Sequence, residues 1–275
     1  MEFPLDQPII VVKIGGAEGV DFSAICQDVA NLLQQGQRLI LVHGGSAEAN
    51  ALGEALGCPP KFITSPSGYT SRYTNRRTLE IFLMAVNGKV NTLLVEQLQA
   101  LGVNALGLSG VDGKLILATR KEAVQSIENG KRLVIRDDYT GKIEGVNADL
   151  LLLLVTHGYV PVIAPLAISP SGEALNVDAD RAAAMVASAL AAETLILLTA
   201  VPGLMRRFPD ESTLIAQLPR NRLPEALEMA QGRMKKKILG AEEALEGGVQ
   251  KVIIADGRIA RPLSNALQGK GTVIQ

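Results

Sequence analysis

Short apolar runs alternate along the chain with stretches in which apolar residues recur at helical spacing. Ile9–Ile14 and Arg38–His43 are runs of the kind that forms buried strands, and a helical pattern at 22–35 lies between them. Strands that alternate with helices in this way favour βαβ units and a right-handed parallel sheet. The pattern therefore predicts an α/β fold.

The same alternation continues towards the C-terminal end. Ser46 is predicted to cap the helix that follows the second strand. Predicted helices cover 46–56, 78–101, 148–157, 181–191 and 233–247, and predicted strands cover 161–168, 195–200 and 249–255. The region 104–146 differs, because short strand candidates at 114–120 and 131–137 and a turn through Gly141 are typical of hairpins. We expect these hairpins to stand off the main sheet as an edge or a lid.

Composition supports this fold class and excludes one class of partner. Hydrophobic residues make up 47% of the chain, aromatic residues only 3%, and there is no Trp. A core of Val, Ile, Leu and Ala is typical of parallel sheets covered by helices. The formal net charge of −1 gives no general attraction to nucleic acid, so no nucleic-acid partner is expected. A charged partner must then be bound by a local patch.

Several absences in the sequence predict a cytoplasmic protein that does not cross a membrane. Cys26 and Cys58 lack metal-site spacing and suit a reducing compartment. The first residues lack the basic-then-apolar layout of a signal peptide, and Gly and Pro interrupt the apolar run at 149–168. We expect one domain whose two lobes, 1–168 and 169–275, share one continuous sheet.

Two glycine pairs, Gly15–Gly16 and Gly44–Gly45, end the first two strands. Where a parallel strand ends, backbone N–H groups and the next helix N-terminus form a site for anions, and glycine lets the anion come close. Either pair could also serve only a tight turn. Lys13 favours the anion site, because an ammonium inside an apolar strand is costly without a partner such as phosphate. The chain contains neither a P-loop nor a dinucleotide-binding fingerprint, so a phosphate site needs another architecture.

A second group of lysines begins the predicted helix 233–247. Lys235, Lys236 and Lys237 are about 100° apart in turn around the helix, so only one or two of them can face a cleft. A solvated basic run is the simpler interpretation. The helix dipole disfavours cations at a helix start, which favours a functional reason for this position.

The motifs VVKIGG, HGG, NVDAD and GRMKKK occur in this order over nearly the whole chain. Together they resemble the amino-acid kinase family, whose members phosphorylate carboxylates or similar oxyanions with ATP. The resemblance implies a three-layer αβα sandwich with a mainly parallel central sheet and β-hairpins in the N-lobe. It also implies ATP and Mg²⁺ as cofactors, acceptor binding by the N-lobe, nucleotide binding by the C-lobe, and a homodimer that pairs through N-lobe helices such as 78–101.

Finer motifs are similar to one branch of that family. HGGSAE, GYTSRYT, LGLSGVDG, RDDYTG and QGRMKKK resemble the kinases that act on substrates attached to LysW, a small acidic carrier protein. This branch phosphorylates the side-chain carboxylate of carrier-bound 2-aminoadipate, or of glutamate, in lysine or arginine biosynthesis. Two alternatives stay open: an N-acetylglutamate kinase of arginine biosynthesis, and a non-catalytic ligand sensor on the same fold.

The resemblance assigns the catalytic roles residue by residue. Lys13 and Lys237 would flank the migrating phosphoryl group, because positioning and charge neutralisation dominate this chemistry. Asp180 would orient the two lysines, while Asp178 caps the following helix. His43 is interpreted as structural, since a carboxylate acceptor has no proton to remove at neutral pH.

The resemblance also assigns binding roles. Arg72 would bind the acceptor's α-carboxylate through paired hydrogen bonds, with help from Asn176. Gly44 and Gly45 would also contact the substrate. The residues expected to bind ATP are Lys13, Gly15, Gly16, Thr199, Gly203 and Lys237.

Basic residues near the expected acceptor mouth are candidates for contact with the carrier. These are Arg76, Arg77, Lys114, Lys131, Arg132 and Arg136. An acidic carrier would be steered to them, and its capture would weaken with salt. A solvated hairpin surface explains the same residues equally well.

Overall fold

The structure is a computed structural model that describes residues 7–16, 19–66, 68, 70–128 and 131–275. The strands in these residues are β1 (Ile9–Ile14), β2 (Arg38–His43), β3 (Phe62–Thr64), β4 (Thr70–Arg72), β5 (Ala105–Ser109), β6 (Ile116–Arg120), β7 (Val124–Glu128), β8 (Lys131–Ile135), β9 (Gly141–Val146), β10 (Val160–Ala164), β11 (Leu166–Ile168), β12 (Ala174–Asn176), β13 (Thr194–Thr199), β14 (Gln217–Leu218), β15 (Lys251–Asp256) and β16 (Thr272–Ile274). The α-helices are α1 (Phe22–Gln34), α2 (Ser46–Ala55), α3 (Arg76–Leu83), α4 (Thr92–Ala100), α5 (Ala148–Thr156), α6 (Ala179–Ala189), α7 (Leu223–Met229), α8 (Gly232–Glu246) and α9 (Pro262–Leu267).

An eight-stranded sheet lies at the centre of the protein, in the order β14-β16-β15-β13-β1-β2-β10-β5. Its neighbouring strands run parallel, except that β15 and β16 are antiparallel. β1 lies between β2 and β13. Because the carboxyl ends of parallel strands share one edge, the turns after β1, β2 and β13 meet at the middle of that edge.

Side chains of β1 alternate between two buried layers. Val11 packs in an apolar cluster with α6 and α8, whereas Val12 and Ile14 pack in a second cluster with α1, α4 and α9. Helices therefore cover both faces of the sheet. The predicted three-layer α/β fold with a mainly parallel sheet is confirmed.

One long helix, Arg76–Ala100, accounts for the helix predicted at 78–101. Its central part, Met84–Asn91, is π-helical and lies between α3 and α4, packed against α2 and β10. Such segments occur often at functional sites. Within the described residues this helix alone is long and apolar enough to cross a membrane, a property that core helices share, and its Leu79 and Val86 are fully buried in the protein.

Hairpins stand off the main sheet, as predicted for the region 104–146, although β5 belongs to the main sheet. β6 and β9 form a smaller sheet with β11 and β12, β3 pairs with β4, and β7 pairs with β8. The prediction of one strand over 161–168 is wrong. Pro165, which lacks an N–H group, separates β10 in the main sheet from β11 in the smaller one.

Candidate active site

Two lysines from opposite ends of the chain meet on one carboxylate. Nζ of Lys13 and Nζ of Lys237 each lie 2.9 Å from Oδ1 of Asp180. The lysine side chains are 7% exposed and the Asp180 side chain is 10% exposed. We call these three residues the lysine–aspartate cluster. The family resemblance predicted that these residues act together, and the structure brings them together at the carboxyl end of β1.

Local sequence explains why Asp180 is available to the lysines. Asp178 caps α6 by accepting hydrogen bonds from the N–H groups of Asp180 and Arg181, as predicted. The Asp180 side chain is therefore not needed as a cap. Gly240 lets α8 approach α6 closely, since a Cβ there would lie 3.3 Å from the Asp180 carbonyl oxygen. Lys236, next to the cluster, lies 3.7 Å from the Asp178 carboxylate instead.

Burial and charge set the protonation of the cluster. Burial alone would raise the pKa of Asp180, but the ammonium groups of Lys13 and Lys237 hold that pKa well below its usual range. Burial lowers the pKa of Lys237 to about 8, with the Lys13 ammonium adding to this effect and Asp180 opposing it. One carboxylate does not neutralise two lysines, so the cluster can bind an additional anion.

The two glycine pairs pack directly against each other beside this cluster. A Cβ on Gly16 would lie 2.3 Å from the backbone nitrogen of Gly45, and one on Gly44 would lie 2.7 Å from the nitrogen of Gly16. The Gly44 N–H donates to the Ile14 carbonyl at 2.9 Å. Only glycine allows such close approach, because a Cβ would meet backbone.

The predicted cap of α2 is wrong. Ser46 is the first residue of the helix, Gly45 occupies the cap position, and no side chain caps this end. The Ala47 N–H donates to the Gly16 carbonyl at 3.4 Å, whereas the Ser46 N–H has no acceptor among the described residues and is available to an anion.

Arg72, at the end of β4, is buried beside α2. Its Nη2 donates to Oδ1 of Asn50 at 2.5 Å and to the Ser46 carbonyl at 3.3 Å. The guanidinium also lies 5.4 Å from the Phe62 ring centroid and 5.9 Å from that of Phe82. Asn50 therefore orients Arg72, a contact that sequence analysis did not name.

A buried network connects Asn176 with Arg72. Nδ2 of Asn176 donates to Oγ1 of Thr74 at 3.1 Å, and Oγ1 of Thr74 donates to the Arg72 carbonyl at 3.1 Å. The Thr74 N–H donates to Oδ1 of Asp138 at 2.8 Å, and the Thr140 hydroxyl also donates to this carboxylate. Thr74 and Asp138, both almost fully buried, were missed as site residues, although the GYTSRYT and RDDYTG motifs contain them.

The turns after β13 and β15 lie at the same sheet edge. The Thr199 carbonyl accepts from the Gly257 N–H at 2.7 Å, and Thr199 is the register partner of Asp256. Gly203 packs closely against Thr272, since a Cβ on Gly203 would lie 2.6 Å from its hydroxyl oxygen. Asp256, the last residue of β15, was not predicted as a site residue, and its carboxylate accepts hydrogen bonds from Arg258 at 2.6 and 2.8 Å.

The proposed carrier contacts divide into two places. Arg76 and Arg77 begin α3 and lie near Glu80, with Arg76 6.0 Å from the Tyr139 ring centroid. Arg136 follows β8, and its carbonyl accepts from Arg120, which also stacks on Tyr139.

Arg132 lies exposed on β8, whereas the Lys131 side chain lies outside the described residues. Lys114 lies shortly before the first residue of β6, at the end of this strand that is far from Arg120, and near Asn147. We call Arg76, Arg77, Arg132 and Arg136 the arginine surface.

A cavity of about 760 Å³ opens between the hairpins next to this surface. It is bordered by Lys61, Phe62, Tyr73, Leu133 and Arg136, among others. Phe62, which borders the cavity, is the register partner of Arg72, and its ring centroid lies 5.4 Å from the Arg72 guanidinium.

Comparisons with known proteins identify relatives over nearly the whole chain. The sequence model of the Amino acid kinase family matches residues 8–256. A Deinococcus radiodurans protein named LysW-aminoadipate kinase is 57% identical over 97% of this chain and 91% of its own length. A Thermus thermophilus protein of the same name is 52% identical over 97% of this chain and its full length. A LysW-aminoadipate/LysW-glutamate kinase of Sulfolobus acidocaldarius is 38% identical over 97% of this chain and its full length.

Solved structures agree with this fold. N-acetylglutamate synthase from Neisseria gonorrhoeae, solved with coenzyme A and N-acetyl-glutamate, is 28% identical with a TM-score of 0.79 over 97% of this chain. This chain spans only 59% of the length of that synthase chain. Carbamate kinase from Giardia lamblia, 14% identical with a TM-score of 0.68 over 98% of both chains, shows the fold alone. From the family match and these relatives, the chain belongs to the amino acid kinase family.

Proposed function

We propose that the protein transfers the γ-phosphoryl group of ATP to the side-chain carboxylate of 2-aminoadipate attached through its amino group to LysW, in lysine biosynthesis. The observation that carries this proposal is the convergence of Lys13 and Lys237 on Asp180, beside two glycine turns at one sheet edge. The relatives that are 57% and 52% identical carry the name of this activity.

The lysine–aspartate cluster provides the charge that phosphoryl transfer needs. Lys13 and Lys237 stabilise the negative charge that spreads over the equatorial oxygens of the migrating group. Asp180 holds both ammonium groups at its Oδ1, which offsets their mutual repulsion and fixes their positions. Phosphate oxygens that replace part of the lost hydration also favour the protonated form of Lys237.

The glycine turns bring backbone N–H donors to the reacting groups. Gly15 and Gly16 follow Lys13 directly and would contact the phosphates of ATP, whereas Gly44 and Gly45 would contact the attacking carboxylate. The start of α2, which lacks a side-chain cap, adds the favourable end of the helix dipole for these anions.

Arg72 and Asn176 would hold the acceptor. A guanidinium binds a carboxylate through two parallel hydrogen bonds, and Asn50 fixes its plane in this protein. The network through Thr74 sets the distance between Arg72 and Asn176.

The C-lobe, 169–275, would bind the nucleotide, with Thr199 and Gly203 near its ribose and base.

Mg²⁺ would neutralise the β- and γ-phosphates. Among the described residues no group of three or more His, Cys, Asp or Glu side chains is arranged to hold a metal ion. ATP phosphates would therefore supply most of the Mg²⁺ ligands, as is usual for this ion.

The arginine surface and Lys114 would meet the carrier. Arg136 borders the cavity, whose Phe62 also lies beside the Arg72 guanidinium, which suits a carrier whose bound amino acid must reach the buried site. Steering by these charges would weaken with salt.

A homodimer through the Arg76–Ala100 helix and a cytoplasmic location complete the proposal. The exposed Met84 and Leu93 on that helix suit a dimer contact.

Carrier-bound glutamate, an arginine precursor, is a second candidate acceptor, because the Sulfolobus acidocaldarius relative is named for both substrates. The two acceptors differ by one methylene, which gives only about 1–3 kcal/mol of discrimination in a typical pocket.

A phosphorylation assay tests the proposal. The protein and MgATP are incubated with LysW carrying aminoadipate, LysW carrying glutamate, LysW alone, or free N-acetylglutamate. We expect turnover with carrier-bound aminoadipate at least about a hundredfold more efficient, as kcat/KM, than with N-acetylglutamate. Equal efficiency with the free acetylated acceptor would replace the proposal by N-acetylglutamate kinase activity, and no turnover with any acceptor would favour a sensor.

A further inference from the structure

His43 is fully buried at the end of β2 and belongs to a hydrogen-bond chain that the phosphoryl-transfer scheme leaves unused. Its Nδ1 lies 2.8 Å from the Gly44 carbonyl oxygen, and its Nε2 lies 2.9 Å from Nδ2 of Asn91. Nδ2 of Asn91 also lies 2.8 Å from the Val162 carbonyl oxygen. Asn91 ends the π-helical segment Met84–Asn91.

This chain fixes the proton on the imidazole. The Val162 carbonyl can only accept a hydrogen bond, so the nitrogen of the Asn91 amide must face it. The same nitrogen then donates to Nε2 of His43, which must accept. The proton of the neutral imidazole is therefore on Nδ1 and is donated to Gly44. Burial supports the neutral form by lowering the pKa of His43 to about 4, with the Lys13 ammonium adding to this effect and the Gly44 contact opposing it.

Asn91 itself is held by its surroundings. A Cβ on Gly107 would lie 2.2 Å from Oδ1 of Asn91, so glycine at that position makes room for the amide. Val86, in the same π-helical segment, contacts the other side of the turn, where a Cβ on Gly45 would lie 2.9 Å from its methyl group. The π-helical segment therefore supports both His43 and Gly45.

The contact with Gly44 sets the direction of the next N–H group. In a trans peptide the C=O and the following N–H point in opposite directions. His43 pairs in register with Ile14, and Lys13 pairs with Val42, so the imidazole and the Lys13 ammonium leave opposite faces of the sheet. A Gly44 carbonyl drawn towards His43 therefore turns the Gly45 N–H towards the Lys13 face. Among the described residues no oxygen accepts from this N–H.

We propose that His43, held as the Nδ1-protonated neutral imidazole by Asn91, is a positioning residue that directs the Gly45 N–H at the oxygen receiving the phosphoryl group. This inference rests on the proposed kinase function. His43 transfers no proton in it. Its effect on the rate is indirect, through a donor that must be in place before charge develops.

Two substitutions at the same position test the proposal. The amide nitrogen of Asn in H43N falls where Nδ1 of histidine lies and can still donate to Gly44, whereas that of Gln in H43Q falls nearer Nε2. If His43 only fills space, Gln, which is closer to histidine in volume, is the better replacement. We expect the reverse, with kcat of H43Q about ten- to a hundredfold below the unaltered enzyme and about tenfold below H43N. KM for ATP should stay within about threefold in both variants.

Stability and tautomer measurements keep the kinetic result interpretable. H43N leaves one Asn91 hydrogen without its acceptor, so it should lower Tm. Its kcat should nevertheless stay closer to that of the unaltered enzyme than the kcat of H43Q does. A kcat of H43Q equal to or above that of H43N would overturn the proposal. If neither variant folds, ¹⁵N NMR of the unaltered protein decides, because Nδ1–H supports the proposal and Nε2–H refutes it.

The same spectrum needs no substrate, so it separates this inference from the proposed function. The chain has only two histidines, and a His157→Gln variant assigns the signals. Lack of turnover by the unaltered protein with every acceptor would count against the kinase proposal, whereas the tautomer result would still stand.

Discussion

The lysine–aspartate cluster and the arginine surface hold positive charge in opposite ways. The cluster's lysines are 7% exposed and share one carboxylate, whereas Arg76 and Arg77 are 57% and 58% exposed beside Glu80. Breaking a buried pair costs about 3–5 kcal/mol, but an exposed pair contributes about 0–1 kcal/mol. Changes in the cluster should therefore affect both the fold and the chemistry, whereas changes in the arginine surface should affect only binding of a partner.

The largest effect should follow loss of a cluster cation. Lys237→Ala should lower kcat by about a thousandfold, because a fixed positive charge no longer stabilises the transition state. ATP affinity, measured by calorimetry, should fall far less. Lys235→Ala, on the same helix but outside the cluster, is the matched control and should keep kcat within about threefold. If Lys235→Ala were the inactive variant, the catalytic role would move to Lys235.

Stability should respond strongly to the central carboxylate. Asp180→Asn keeps the shape but leaves two buried ammonium groups without a counter-charge, so the free energy of unfolding should fall by about 3–5 kcal/mol. The folded state lowers the pKa of Asp180, so its stabilisation is complete above the unfolded value of about 4 and is lost as pH falls below it. Urea unfolding at pH 7 and pH 3 measures this, and a difference between the two proteins that does not shrink at pH 3 contradicts it.

Acceptor binding should depend on the shape of a cation and not only on its charge. Arg72→Lys keeps the positive charge but loses the planar fork, so KM for the carrier-bound acceptor should rise about ten- to a hundredfold. KM for ATP should change little, because the proposed function assigns Arg72 to the acceptor. A Lys variant with unchanged KM for the carrier substrate would remove Arg72 from acceptor recognition.

The smallest effect belongs to the arginine surface. Arg136→Ser should raise KM for the carrier substrate by about threefold at low salt and less at high salt, and should change the unfolding free energy by less than about 0.5 kcal/mol. Arg207→Ser, at an arginine that is 78% exposed in the C-lobe, is the matched control and should leave KM unchanged. Equal effects of the two variants would mean that general charge, not this surface, attracts the carrier.

Regular periodicity was sufficient to predict most of the fold. β1, β2 and the long helix Arg76–Ala100 follow directly from apolar spacing, and their boundaries agree to within two residues. α7, α9 and the short strand β16 were missed, because short elements near Pro and Gly carry too few residues for a period to show. The break at Pro165 was also missed, since both halves are equally apolar.

Only some residues of the candidate site could be predicted from the sequence. Lys13 was identifiable because a charge inside an apolar strand needs a reason, whereas Asp180 was assigned through the family resemblance, with Asp178 as the cap leaving it free. Thr74 and Asp138 were not, since their roles depend on hydrogen bonds between segments 64 residues apart. The role proposed for His43 could not be predicted, because it depends on which ring nitrogen faces the π-helical segment, and residue spacing does not encode this.

The central position of β1 has a consequence for synthesis of the protein. Ile10 pairs with Thr194, so the strand that carries Lys13 gains its second neighbour only after most of the chain has left the ribosome. Lys237 follows still later. Until translation is nearly finished, a nascent chain therefore lacks one of the two cations to which the proposed function assigns phosphoryl transfer.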